Sequence, residues 1–573
     1  MLLYISNTCS LCFHERQETS VSYRKRDTCA PNAQLNGRSA LQKYYKMWTK
    51  RKFRIIAIFV IILAYIWLTS MLLTGAKKVE FLRNLEAFVL VSNATTLEQP
   101  NLEELLAVPP TLSPEEKVRR LEKASRNLPI GFVERNQGKN LKMNNSCAYF
   151  PKIHDLHYNN MYWQTVTTSN GQFFLYGAYY DNRTLEPDRP VVRMTAIINR
   201  VGEFAKTHCQ IWFDGSKKPV FSESSHVLVW YKAWGHYNND DLNPYIITCK
   251  IPASHRDKVP QAVSLVERPC NYATNLLKVN YNLPEKGQKE DFAVCVKGSE
   301  FFTGDLTVRI IEWLELLFTM GAHKVFYYDF GMNPRMAKMM EYYTKKGLVE
   351  VIPLTLPDTQ PNIPGLVYKY LDAKFKYQHE VIPYNDCYYR NIHRYRYTVH
   401  ADPDEIIIPR NAHSWQELMD IVVKKSEKDN TLYTSYSAPH TFYMDEMLPP
   451  DGHFEGIPKY MHIMQHAIRS ANYTPAGWSI KCFHDTERAL GLHNHFPIHC
   501  LGGQYNCRTY QITTDDAQMQ HYRKTCQGFI QNCHETYKKN TILDPTAWKF
   551  KDEVMRRMNR TLAALNYFKN YPL

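Results

Sequence analysis

The chain has 573 residues, too long for one core at ~100–200 residues per domain, and its 44% hydrophobic and 22% charged content is that of globular protein. A net charge of +14 would suit nucleic acid, but residues 1–54 hold eleven Lys/Arg against three acids, so most of the excess lies in a short tail. No RNA- or DNA-binding motif accompanies that tail, and nucleic acid is excluded as an expected partner.

Directly after the tail, Ile55 to Thr74 reads IIAIFVIILAYIWLTSMLLT, without one charge. A helix of that length spans a bilayer core of ~30 Å. It lies too far inside the chain, and is too long, for a cleaved signal peptide. Arg51, Lys52 and Arg54 on its N-terminal side outnumber Lys77 and Lys78, which predicts a cytosolic N-terminus and a lumenal body. Sequons begin at Asn93, Asn144, Asn182, Asn472 and Asn559, and none precedes the apolar segment. Three cysteines lie in the tail, and Cys9-x-x-Cys12 with distant Cys29 lacks a fourth zinc ligand. Eleven cysteines lie beyond the span; several should pair in an oxidising compartment, and the odd count leaves at least one unpaired.

The predicted division is a cytosolic tail (1–54), a transmembrane signal anchor (55–75), a polar stem (76–145) and a β-rich module (146–288). An α/β domain (289–535) and a C-terminal extension (536–573) follow. In the module, Phe173–Tyr180, Val191–Asn199, Cys209–Phe213, Val227–Tyr231 and Tyr245–Cys249 read as short strands, as in a small β-sandwich or similar. The chain's 39 tyrosines suit strands and cores, and their faces also stack on sugar rings.

From about Asp291 strands and helices alternate: strand Phe292–Val296, helix 303–319, strand Val325–Asp329, helix Pro334–Lys346, strand Leu348–Leu354. Gly347 stands where a helix C-cap glycine belongs. Such repeats predict a parallel, Rossmann-like sheet, which binds ligands at the carboxyl ends of its strands. Pro383, suited to a first helical turn, begins a further predicted helix that runs to about His393.

The site candidate is Tyr397–Arg410, YTVHADPDEIIIPR, where an apolar strand runs into Asp402-Pro403-Asp404-Glu405. Carboxylates so crowded are costly unless a cation neutralises them. Mn²⁺ or Mg²⁺ would do so through oxygen ligands and leave positions for a diphosphate. A solvated turn begun by Asp-Pro is the alternative. No Gly-x-x-x-x-Gly-Lys-Ser/Thr loop, Gly-x-Ser-x-Gly elbow or His-Glu-x-x-His segment offers a competing chemistry.

Together with Val294-Cys295-Val296, Glu312-Trp313, Lys324–Asp329, Tyr342-Tyr343, Lys346–Val351, Asn385-Asp386-Cys387, Arg390, Pro409, Lys481, Gly491-x-His493 and His521-Tyr522-Arg523, this region resembles glycosyltransferase family 92 over about residues 290–530. The resemblance implies a GT-A fold, a UDP-sugar donor (typically UDP-galactose), Mn²⁺ dependence, inversion and a Golgi membrane location. It makes Asp404 the direct metal ligand, with Asp402 as metal or nucleotide ligand and Glu405 orienting its neighbours. His493 is the later metal or diphosphate ligand, with His495 its rival, and Lys481 meets the diphosphate. Asp329 and Asp386 are candidates for the nucleoside, and a helix-dipole role is the alternative for Asp386. Inversion needs a base for the acceptor hydroxyl; Asp445, Glu446, Asp485 and Glu487 are candidates, with Glu446 preferred. Expected partners are the UDP-sugar, a glycan or glycoprotein acceptor and the membrane, with a homodimer left open. The rival reading is a membrane-tethered carbohydrate-binding or adhesion protein without catalysis.

Overall fold

The computed structural model describes residues 113–136, 147–216, 218–302, 304–366, 373–449, 453–503, 507–526, 530 and 532–567. The tail, the apolar segment 55–75, most of the stem, and Asn93 and Asn144 lie outside them; among the described residues no helix is long and apolar enough to cross a membrane. Asn182, Asn472 and Asn559 are exposed.

The β-rich stretch forms a nine-stranded sheet. Leu277–Asn280 pairs in parallel with Gly171–Asp181, Ala178 opposite Val279, so the sheet closes on itself rather than forming two stacked layers. The predicted strand Val227–Tyr231 is observed instead as Val220–Leu228. Its start, Phe221-Ser-Glu-Ser-Ser, is too polar to read as a strand from sequence.

The α/β domain supplies strands β1 (Glu290–Phe301), β2 (Lys324–Met332), β3 (Val349–Pro353) and β4 (Tyr395–His400), then β5 (Glu405–Pro409), β6 (Ser435–Ala438), β7 (His440–Met444), β8 (Lys481–Asp485), β9 (Thr509–Gln511) and β10 (Ala517–Arg523). Its helices are α1 (Thr307–Thr319), α2 (Pro334–Lys345), α3 (Ala373–Asn391), α4 (Trp415–Ser426) and α5 (Lys551–Ala564). The main sheet has the order β3-β2-β1-β4-β8-β6-β9. Strands β3, β2, β1 and β4 are parallel, and β8 is antiparallel to β4 and β6. Strand order reverses between β1 and β4, and a crevice at such a reversal is where open α/β sheets hold ligands. A second sheet, β5-β10-β7, stands beside it.

Alternation along β1 fixes what covers each face. Phe292, Val294 and Val296 join the core made with α1, α2, α4 and α5. Ala293 and Cys295 face Ile382, Tyr384 and Cys387 of α3 together with Trp163, Phe174 and Tyr176 of the β module. The module therefore covers part of the main sheet. Helix α2 is capped by Asn333, whose side chain accepts from Arg335 N and Met336 N at 3.1 Å, and Gly347 follows it with φ +74°. Helix α3 begins ten residues before the predicted start, leaving Pro383 in its interior. The stretch expected as a C-terminal extension is built in: Arg557 and Thr561 of α5 both reach Glu315 of α1, at 2.8 Å.

Ten of the eleven cysteines pair: Cys147–Cys270, Cys209–Cys249, Cys295–Cys387, Cys500–Cys507 and Cys526–Cys533, leaving Cys482 buried and unpaired. Cys295–Cys387 ties β1 to α3 beneath the crevice.

Candidate active site

Strand β4 ends at His400, and the chain turns through Asp402-Pro403-Asp404-Glu405, closed by Glu405 N donating to Asp402 O at 2.9 Å. Proline at the second position of such a turn presets its φ, which accounts for Pro403. Strand β5 then pairs with β10, and Glu405 lies directly opposite His521. Two tryptophans brace this turn from below: Trp313 Nε1 donates to Glu405 O at 2.9 Å and Trp415 Nε1 to Ile407 O at 2.8 Å.

The three carboxylates do different work. Asp402 is nearly buried, and its Oδ2 meets Lys297 at 3.2 Å and Lys481 at 3.3 Å while Tyr384 donates to Oδ1 at 3.3 Å. Burial opposes its charge, yet Lys297 and Lys481 hold its carboxyl far below the usual carboxylate range. Both oxygens of Asp402, expected as a metal or nucleotide ligand, thus have partners, Oδ2 two lysines and Oδ1 the Tyr384 hydroxyl. Glu405 is buried, 3.0 Å from Lys481; burial raises its pKa despite Lys481 and His521. Only Asp404 is open, with 55% of its side chain exposed, and its Oδ2 lies 3.5 Å from His521 Nε2.

Lys297, inside β1, also meets Glu380 of α3 at 3.4 Å. Lys481, expected to touch a diphosphate, is 1% exposed and bonds Asp402, Glu405 and Asn494. It supports the carboxylates from behind, and Lys297, at 20% exposure, is the cation at the mouth. Beside it a cleft at the carboxyl ends of β1–β3 is lined by Gly298, Phe330, Leu354, Leu356, Glu380 and Pro383. Asp329 ends the parallel run of β2 next to Phe330, accepts from Gly331 N at 2.9 Å, and has its pKa raised by burial.

Asp386 is overturned as a nucleoside contact. It is fully buried, accepts from Tyr328 at 2.5 Å and from Tyr179 of the module, and pairs with Arg390 at 2.9 Å. Arg390 in turn donates to Asn280 at 2.9 Å and to Asn127. The pair fastens the β module to α3. His493, expected as a later metal or diphosphate ligand, packs its ring 4.6 Å from Trp234 and 5.6 Å from Phe496, and burial lowers its pKa to about 3. Packing of Gly491 against Val229 draws this hairpin onto the module.

Among the described residues, metal-ligating atoms converge in two groups, Glu405/His440/His521 and Asp445/His462/His466. In the first, His521 Nδ1 lies 3.2 Å from Glu405 and 3.0 Å from His440 Nε2. Burial disfavours charge on His521, but Glu405 and Asp404 raise its pKa. Asp404, with its open carboxylate, and the His521 imidazole beside it could offer an oxygen and a nitrogen ligand to a divalent ion. Neither His521 nor Lys297 was singled out from sequence as a ligand or a cation of the site. The available signals were the His521-Tyr522-Arg523 match and a lone lysine ending an apolar strand.

In the second group His462 opens a short helical turn, His462–Gln465, fixed by Glu312; His466 follows that turn and Asp445 follows β7. Glu312 is buried and accepts from the backbone N–H of His462 at 2.5 Å, Ile463 at 2.9 Å and Met464 at 3.0 Å. Burial pushes its pKa up to about 7, against donors that favour its charge. Adjacent residues on α1 thus brace both halves of the site, Trp313 under the carboxylate turn and Glu312 under the histidine turn. Glu312→Gln turns an amide NH₂ against these N–H groups and is expected to cost about 2 kcal/mol, read as a fall in Tm. Glu446, the preferred base from sequence, is spent elsewhere: Lys538 pairs with it at 2.8 Å and Thr525 donates to it at 2.6 Å.

No curated protein matches the chain. Two solved structures are similar to it: S. aureus TarS 1–349, at 12% identity and TM-score 0.21, covering 49% of this chain and 75% of that one, and S. aureus TarS 1–349 in complex with UDP-GlcNAc, at 12% and 0.20, covering 48% and 66%. The model of glycosyltransferase family 92 matches residues 290–563, a span that contains Lys297, Glu312, Asp402, Asp404, Lys481 and His521. That span is the part of the chain that matches the family the carboxylate turn and its neighbours resemble.

Proposed function

We propose that the chain transfers a hexose, with galactose the first donor to test, from a UDP-sugar to a glycan acceptor with inversion, in the Golgi lumen and from a type II membrane anchor. The observation that carries this reading is the open Asp404 carboxylate beside His521, at the end of a parallel-sheet strand and within the family match. A divalent ion bound there would neutralise charge on the departing diphosphate. The chain's own groups orient the donor. Lys297 offers a cation at the crevice mouth, and Asp329, at the end of the pairing of β2 with β3, is the candidate ribose contact. Asp402, Glu405 and Lys481 keep the turn rigid.

The test is the full chain incubated with a panel of UDP-sugars and Mn²⁺, reading UDP release and glycan product. Release with none of the donors sinks the reading. A carbohydrate-binding role without catalysis draws on the half-buried aromatic group Tyr231, Trp234 and Phe496. It predicts glycan binding by the same protein with no UDP released.

A further inference from the structure

Two histidines stand four residues apart in His462-Ile-Met-Gln-His466, a spacing that puts them on one face of a helical turn. Their ring centroids lie 4.2 Å apart. Asp445, which opens the short turn Asp445–Met447 after β7, brings a carboxylate to them. One ligand atom from each of the three residues lies within 4.8 Å of the other two.

Asp445 Oδ1 is 2.9 Å from His466 Nε2, while His466 Nδ1 is 2.6 Å from His462 O. A carbonyl oxygen only accepts, so Nδ1 carries a proton and Nε2 is the nitrogen turned toward the carboxylate. A backbone carbonyl that fixes the outer nitrogen is a usual support of a metal-bound histidine. Two ligands each ~2.0–2.1 Å from zinc stand ~3–3.5 Å apart. The contact between Asp445 and His466 already has about that length, and the His462 ligand atom is a side-chain rotation away.

The scaffold is rigid. Glu312 accepts from three successive backbone N–H groups of the turn, His462 to Met464, and His466 is 3% exposed. Asp445, at 34% exposure, leaves one side of the cluster facing solvent. The cluster is also set apart from His521. Both histidine rings rest on Tyr522, with centroids 5.9 Å away in each case. Neighbouring residues of a strand point to opposite faces, so His521 projects from the other side of β10. Arg309 of α1 and Asp404 are charged groups that act on the cluster from outside it.

We propose that Asp445, His462 and His466 form a zinc site, distinct from the divalent-ion position at Asp404 and His521. Two imidazoles and one carboxylate suit zinc better than Mg²⁺ or Ca²⁺, which take oxygen ligands. The ion clamps the His462 turn to the end of β7, and water completes its coordination from the open side. The site stands whether or not the chain transfers a sugar.

The test uses the full chain, loaded with Zn²⁺, dialysed into metal-free buffer and measured by elemental analysis, with circular dichroism to establish folding. Wild type and Asp404→Ala are each expected to keep about one zinc per chain. His462→Ala, His466→Ala and Asp445→Ala are expected to bind zinc at least ~10-fold more weakly, since even the partners behind a ligand carry that much affinity. Zinc added to chelator-stripped wild type is expected to raise its Tm by several degrees, and that of Asp445→Ala by much less.

Wild type that keeps no zinc and shows no rise in Tm overturns the site and leaves an ordinary carboxylate–imidazole hydrogen bond. Zinc held as tightly by Asp445→Ala as by wild type overturns it as well. Asp445 stands at the solvent edge, so this variant decides the matter where a histidine variant does not fold. Zinc lost equally from Asp404→Ala assigns the ion to the carboxylate turn, and the separate site falls.

Discussion

Asp404→Ala is expected to lower UDP release at least ~10³-fold while leaving the protein folded, with Tm within a few degrees of wild type. The asymmetry between neighbouring carboxylates is the reason. Asp404 is 55% exposed and touches only His521 among nearby cations, so its loss leaves no buried charge behind. Asp402 lies two residues away, but its removal leaves Lys297 and Lys481 facing a crevice with one anion fewer. Asp402→Ala is therefore expected to destabilise the fold as well as slow the reaction. EDTA should reproduce the Asp404→Ala rate in wild type, with recovery on adding Mn²⁺. An Asp404→Ala enzyme of normal rate would end the metal assignment.

What was legible in the sequence follows from what is local. The strands β1 to β5 are apolar runs, and the helices α1 and α2 show a 3.6-residue stripe, so their positions were read to within a few residues. The carboxylate turn was legible because three acids in four residues are conspicuous wherever they fold. Its electrostatics were not. The sequence argument called for a cation to offset Asp402, Asp404 and Glu405, and the fold supplies two from far along the chain, Lys297 and Lys481. The case for a metal thereby narrows to Asp404 and His521.

Burial was the other invisible quantity. Position in the sequence puts Asp386 and Lys481 against the ligand, yet each is sealed behind the site by partners more than fifty residues away. The parallel pairing of β7 with β10 is likewise a register no local pattern encodes. The closure of the β module and its service as a cover for the main sheet are long-range in the same sense. Helix α3 was read short because Pro383 imitates a helix start, while the residues before it carry only a weak apolar stripe.

Lys481→Met tests the buried half of the site. Its ammonium is 1% exposed and lies 3.3 Å from Asp402 and 3.0 Å from Glu405. Methionine keeps most of the volume and removes the charge, so Glu405 is left in the interior with His521 as its remaining cation, and Asp402 with Lys297 alone. Breaking a buried ion pair from one side costs about 3–5 kcal/mol, and that loss should appear as a large fall in Tm. A double change, Lys481→Met with Glu405→Gln, removes the charge that the single change strands and is expected to recover part of the stability. The double-mutant cycle is the measurement that decides. If the two losses simply add, Lys481 is not neutralising Glu405, and the rigidity of the carboxylate turn must come from Trp313 and Trp415 instead.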